Sequence, residues 1–309
     1  MRKTIAIGSI IVLMLLSTAI SVNAIIPGPG TQVAIVPGPS SDNGGTLPTT
    51  DGAFSNFTFT NLPWENLTAG NLTTYEIVVL LFGYGDVINA QQATDLNAWV
   101  NTGGKLIIYD SEMTGEDYSW LPYPFTTNSA GAQGAVGELT YLEDNDLGSN
   151  NPASPYFVNI TQSDVNVWAD AVGDSNVIIT QDVNWCGHIE AINVNQVTGW
   201  VHAYTVYGDG MIIYNGFDID YLASNTTPGT VGITNLAKLW LLELTTPWGT
   251  DYDLACGRRV APLTVGGEII EPPLLNSIVI VALSVAAIVA MVALLSKKLL
   301  RTRLPKMTT

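Results

Sequence analysis

The sequence is poor in the side chains that build metal and nucleophile chemistry. Its 309 residues hold two cysteines and two histidines. His188 and His202 argue against a zinc site of the usual ligand set, which needs three or four Cys, His or acidic ligands at close quarters. Basic residues are scarce too: 11 Lys and Arg stand against 27 Asp and Glu, a net charge of −16. Only Lys105, Lys238, Arg258 and Arg259 lie between the apolar ends of the chain, together with all 27 acids, so that stretch carries about −23. Such a field opposes nucleic acid and anionic lipid. A solvated acidic surface is the plain reading; a divalent cation such as calcium is the sharper one. No other cofactor is expected. No repeat of solenoid period is present, and no full EF-hand spacing.

What the chain has in quantity is apolar sequence, some of it at its ends. Residues 1–24 have the form of a secretory signal: Arg2 and Lys3, an apolar core, then Val22-Asn23-Ala24 before the cut. An uncleaved anchor is the alternative. Residues 274–295 form a second apolar block, about the 20 residues that span a bilayer as a helix. The basic tail, 296–309, follows at once and places the C-terminus in the cytoplasm. The expected order is signal peptide (1–24), extracellular α/β domain (25–249), stalk (250–273), transmembrane helix and tail. Five sequons, at Asn56, Asn66, Asn71, Asn159 and Asn225, suit glycosylation of an exported chain. Cys186 and Cys256 are expected to form one disulfide, two free buried thiols being the alternative. Together these features are in the style of an archaeal cell-surface glycoprotein.

The domain is read from residues 75–110. Residues 77–82 are apolar without alternation, as in a strand covered on both faces. Asn89 with Gln92 makes a capping box, Ala93, Leu96, Trp99 and Val100 share a helix face, and Gly103-Gly104 supplies the exit. Lys105 to Tyr109 is the next strand, completing a βαβ unit. Further strands are expected at 32–36, 57–62, 138–142, 176–180 and 189–194. Residues 200–206 and 211–214 read as a hairpin. Short and long helices are expected at 164–172 and 233–244.

Three stretches in order, YEIVVLLFG with its helix to NTGGKLIIYD, then VYGDGMIIYNGFDID, then NLAKLWLLELTTPW, resemble the class I glutamine-amidotransferase-like superfamily, especially its non-glutaminase, ThuA-like branch. The resemblance covers residues 31–248 and rests on framework motifs. It implies a flavodoxin-like three-layer sandwich around a mainly parallel sheet. The glutaminases of that superfamily carry a Cys on a sharp turn after a strand; here that strand ends Tyr109-Asp110-Ser111-Glu112. The chain is therefore not expected to be a functional glutamine amidotransferase.

Weak catalytic candidates remain. Asp110, Ser111 and Glu112 lie where open α/β sheets bind ligands. His188, beside Cys186, offers a thiol–imidazole pair. For a cation, Asp86, Asp144, Asp146, Asp218 and Asp220 are oxygen-rich candidates, turn-forming aspartates being the plain alternative. The leading expectation is a membrane-anchored binding or structural module, facing a glycan or another envelope protein. A carboxylate hydrolase of carbohydrate or peptide and an accessory subunit of a membrane complex are the alternatives.

Overall fold

A computed structural model of the chain describes residues 25, 27–40, 49, 54–110, 118–129, 139–142, 160–168, 175–193, 195–217 and 233–249. All lie in the first of two units, Met1–Arg259; the second, Val260–Thr309, is outside the described residues. The expected signal, stalk, transmembrane helix and tail therefore lie outside them, and no described helix is long and apolar enough to cross a membrane.

The fold is mixed α/β. The strands are β1 (Thr31–Pro37), β2 (Phe57–Asn61), β3 (Ile77–Leu81), β4 (Lys105–Tyr109), β5 (Phe125–Ser129), β6 (Leu139–Tyr141), β7 (Asn176–Gln181), β8 (Cys186–Ile192), β9 (Thr198–Tyr207) and β10 (Gly210–Asn215). The helices are α1 (Ala69–Leu72), α2 (Ala90–Asn101), α3 (Gln162–Trp168) and α4 (Ile233–Thr245). All ten strands join one sheet, ordered β2-β1-β3-β4-β10-β9-β7-β5, with β8 also on β9 and β6 beyond β8.

The first five positions in this order pair in parallel. Every pairing beyond β10 is antiparallel. The expected mainly parallel sheet is thus only half parallel. The turn at Gly208-Asp209 folds β9 back along β10, and each strand added beyond β9 runs against its neighbour. β5 was not expected from the sequence, and β8 begins at Cys186, earlier than the apolar run suggests.

Both faces of the parallel half are covered. Alternate residues of β3, β4 and β10 (Val78, Leu80, Leu106, Ile108, Ile212) pack with Leu96, Trp99 and Val100 of α2. Their neighbours (Ile77, Val79, Ile107, Ile213) pack with Leu239, Trp240, Leu242 and Leu244 of α4. This is why residues 77–81 show no alternation: each side chain is buried on one face or the other. Full burial of one such aliphatic chain contributes roughly 1.5–3 kcal/mol.

α2 starts and stops as its sequence dictates. Asn89 Oδ1 accepts from the N–H groups of Gln91 and Gln92, both at 3.0 Å, and Gln92 Oε1 accepts from Asn89 N at 3.0 Å. Gly103 follows with φ +115°, a conformation that side chains resist. We expect Asn89→Ala to lower stability by about 1 kcal/mol, read from denaturant melts, because two orphan helix N–H groups lose their acceptor.

Candidate functional site

Two of the candidate carboxylates, Asp86 and Asp110, follow strands, and each binds groups of the surrounding segments. Asp86, after β3, is buried; its Oδ1 accepts from Ser40 N at 2.9 Å and its Oδ2 from Gly83 N at 2.8 Å. It thereby ties the loop after β1 to the loop after β3. Gly38 packs so closely on this carboxylate that a Cβ there would collide with it.

Asp110, after β4, is fully buried on the α2 face. Its Oδ2 accepts from the Tyr118 hydroxyl, from Asn176 Nδ2 at 2.8 Å and from the Tyr214 hydroxyl at 3.2 Å. Tyr118 and Tyr214 meet edge to face, 5.7 Å between ring centres, and both pack on Phe125. The carboxylate thus pins the segment after β4 to β7 and β10. Among the described residues Asp86 and Asp110 share no hydrogen-bond partner.

A larger polar chain crosses the α4 face. At its centre is Glu243 of α4, fully buried. Its Oε2 accepts from the Tyr109 hydroxyl, and its Oε1 from Asn215 Nδ2 at 2.8 Å. His202 Nε2 lies 2.9 Å from Oε1, and His202 Nδ1 lies 2.9 Å from His188 Nδ1. His188 is the extra residue of a bulge between β8 and β9, which turns it toward His202. The chain ends there, at His188 Nε2, which has no partner among the described residues. The ring of Tyr141, from β6, stands edge-on to the His188 ring.

Lys105 lies beside this chain, fully buried. Its Nζ donates to the carbonyls of Glu243 (2.8 Å), Leu244 (3.2 Å) and Thr246 (2.6 Å). It also sits 4.3 Å above the ring of Trp248. Three acceptors match the three N–H bonds of an ammonium.

Burial sets the proton affinities. It pushes Glu243 up to about 8, against the hydrogen bonds of Tyr109 and Asn215 and the charge of Lys105. It pushes His202 down to about 3 and, with the charge of His202, holds His188 well below the usual imidazole value. It also pulls Lys105 down, opposed by Glu243. Geometry favours the ammonium, since a neutral amine would leave one of the three carbonyls unsatisfied.

Two proton arrangements satisfy every inner bond with both imidazoles neutral. With Glu243 ionised, His202 Nε2–H donates to it and His188 Nδ1–H donates to His202 Nδ1. With Glu243 protonated, both directions reverse. Adding one proton converts the first to the second, and His188 Nε2 is the end where it is taken up.

Of the sequence-predicted residues, Ser111, Glu112, Asp144, Asp146, Asp218, Asp220, Cys256, Asn159 and Asn225 lie outside the described ones. Asn66 and Asn71 are exposed and Asn56 is half-buried. Among the described residues no three His, Cys, Asp or Glu side chains gather as metal ligands would. Cys186 is not a free thiol, which removes the thiol from the thiol–imidazole pair. Lys105, Tyr109, Asn215 and Glu243 are not among the candidate site residues named from the sequence. The signal was there: a cation opening a doubly covered strand, and a single acid near the end of an apolar helix.

No family model matches the chain, and no curated protein matches it. Similar solved structures include a thua-like protein of Bacteroides uniformis at 9% identity and TM-score 0.41, covering 70% of this chain and 92% of that one. A cytoplasmic protein of Salmonella typhimurium LT2 is similar at 11% identity and TM-score 0.43, covering 70% and 100%. A beta-galactosidase of Bacillus circulans is similar over 68% of this chain but only 31% of its own, at 13% identity and TM-score 0.34. With TM-scores below 0.5 these likenesses carry no argument, and the fold stands on the strand order and packing given above.

The buried imidazoles make acid stability a test of the network. Their folded affinities lie below the usual value of 6.5, so the stability they contribute is present above pH 6.5 and is lost as pH falls below it, for His202 down to about 3. Glu243 runs the other way: its contribution is whole below pH 4.5 and is lost as pH rises through about 8. Between pH 6.5 and 4.5 two imidazoles oppose one carboxyl, so the network as a whole loses stability. His188→Asn keeps an N–H toward His202 and removes the stranded Nε2. In paired urea melts we expect this variant to gain on the wild type as pH falls from 6.5, by up to about 1.4 kcal/mol per pH unit for the one proton removed. A constant difference would contradict the buried neutral His188.

Proposed function

We propose that the chain is a membrane-anchored, extracellular binding or structural module of amidotransferase-like, flavodoxin-like fold that lacks the glutaminase nucleophile. The observation that carries this reading is the state of the strand ends. β4 is followed by Asp110, not by a cysteine, and Asp110 and Asp86 are buried and engaged in joining loops. A hydrolytic carboxylate pair has to face a substrate across a gap of roughly 5–10 Å. The signal-like residues 1–24, the apolar block 274–295 and the basic tail support the anchored topology, and a Cys186–Cys256 disulfide would fit an oxidising exterior. The partner is a glycan or another envelope protein; an acidic domain of this charge favours calcium over anions as an accompanying ion.

The full chain in native membranes is to be assayed against glutamine and panels of glycosides and peptides. We expect no turnover above the spontaneous rate, and the same result for Asp110→Asn. Turnover that drops by about 10²-fold or more in Asp110→Asn would instead establish the carboxylate hydrolase, since general acid–base groups contribute on that scale.

A further inference from the structure

The described sequons sit together. Asn56, Asn66 and Asn71 fall within sixteen residues, in the connections on either side of β2, and β2 is the outermost strand of the parallel half. Among the described residues no strand lies beyond it. The strand is FTFTN: uncharged, of high β propensity, with Thr58, Thr60 and Asn61 exposed. Edge strands are normally blunted by lysine, proline or a bulge, because an open row of N–H and C=O groups recruits another chain. None of these devices occurs within β2, whose register with β1 is unbroken.

The local geometry suits attachment. Within each sequon the middle residue is an anchor: Phe57, Leu67 and Leu72 are buried. Their burial turns the flanking asparagines and threonines outward. Asn66 and Asn71 are exposed, as are Thr58, Thr68 and Thr73, and Asn56 is half-buried in the turn entering β2. Asn71 Nδ2 donates to Asn66 O at 3.0 Å. A glycosylated amide keeps one N–H.

We propose that Asn56, Asn66 and Asn71 carry N-linked glycans that cover the β2 edge and keep it from pairing with a second chain. The donor is a lipid-phosphate-linked oligosaccharide. Asparagine Nδ2 forms a bond to the anomeric carbon, the bond from that carbon to the phosphate oxygen breaks, the lipid phosphate leaves with the electron pair, and Nδ2 gives up one proton. The inference rests on the exported topology proposed above.

The test uses the full chain in a host whose export route attaches N-linked glycans. Protease shaving of intact cells reads the topology, glycopeptide mass mapping reads each asparagine, and light scattering of the detergent-solubilised protein reads association. We expect all three sites to be occupied and the solubilised chain to be monomeric. Thr58→Ala/Thr68→Ala/Thr73→Ala should lose the glycans and associate at the same concentration, while the matching serine variants keep glycans and stay monomeric. Enzymatic deglycosylation of the folded wild type should give the same association, which guards against misfolding of the alanine variant. Adding Thr60→Lys, a charge on the exposed edge, should restore the monomer. A surface-exposed chain with a bare Asn56, or a deglycosylated chain that stays monomeric, overturns the glycan shield and leaves the exported module standing. A domain protected from protease in intact cells overturns the exported topology, and the shield with it.

Discussion

The contact on which the domain depends is the burial of the Lys105 ammonium at the end of α4. A helix leaves its last carbonyls without partners, and its C-terminus carries the negative end of the dipole. Lys105 opens β4, in the middle of the parallel strands, and answers that end with three donors at 2.6–3.2 Å. Trp248 adds its ring face and also donates through Nε1 to Gly103 O at 2.6 Å. Its backbone pairs with Ile25. One cation therefore joins the last described helix, the α2–β4 turn and the start of the domain to the central strand. Burying a lone ammonium would cost several kcal/mol, so its neighbours must compensate it. Glu243, through Tyr109, Asn215 and His202, is the opposite charge within reach.

The same principle explains what Asp86 and Asp110 do at their strand ends. Open α/β sheets offer ligands a crevice at the carboxyl ends of their strands, and an aspartate there invites a catalytic reading. Here both aspartates are engaged by neighbouring segments. Asp110 receives two tyrosines and an asparagine from three other segments, and Asp86 receives two backbone N–H groups. Each carboxylate does for two loops what Lys105 does for α4: it satisfies groups that the fold would otherwise bury unpaired.

Much of the fold was legible because its signals are local. The apolar run of β3, the Asn89–Gln92 box, the glycine exit of α2 and the β9–β10 turn each state their structure within a dozen residues. The direction of the outer strands was not legible, since it follows from the hairpin and from partners distant in sequence. β5 was hidden in a polar stretch, FTTNS, whose Phe125 is buried by Tyr118, Trp185 and Tyr214. At the site, Asp110 was recognised from its place after β4, but its partners Asn176 and Tyr214 come 66 and 104 residues later. The Glu243 chain gathers residues from β4, β8, β9, β10 and α4, and no spacing rule links them. Lys105 and Glu243 were conspicuous only as charges in apolar surroundings, which says that each needs a partner without saying which.

The most direct test of this account is a double-mutant cycle on Lys105 and Glu243, using Lys105→Met and Glu243→Gln and unfolding free energies of the full chain. At a pH above about 8, where Glu243 is ionised, each single change strands one buried charge, a loss of about 3–5 kcal/mol. If the two charges sustain each other across the α4–sheet junction, the double variant will be less destabilised than the sum of the singles by at least about 1 kcal/mol. Strict additivity would contradict the account, because it would mean that the two buried charges do not compensate each other.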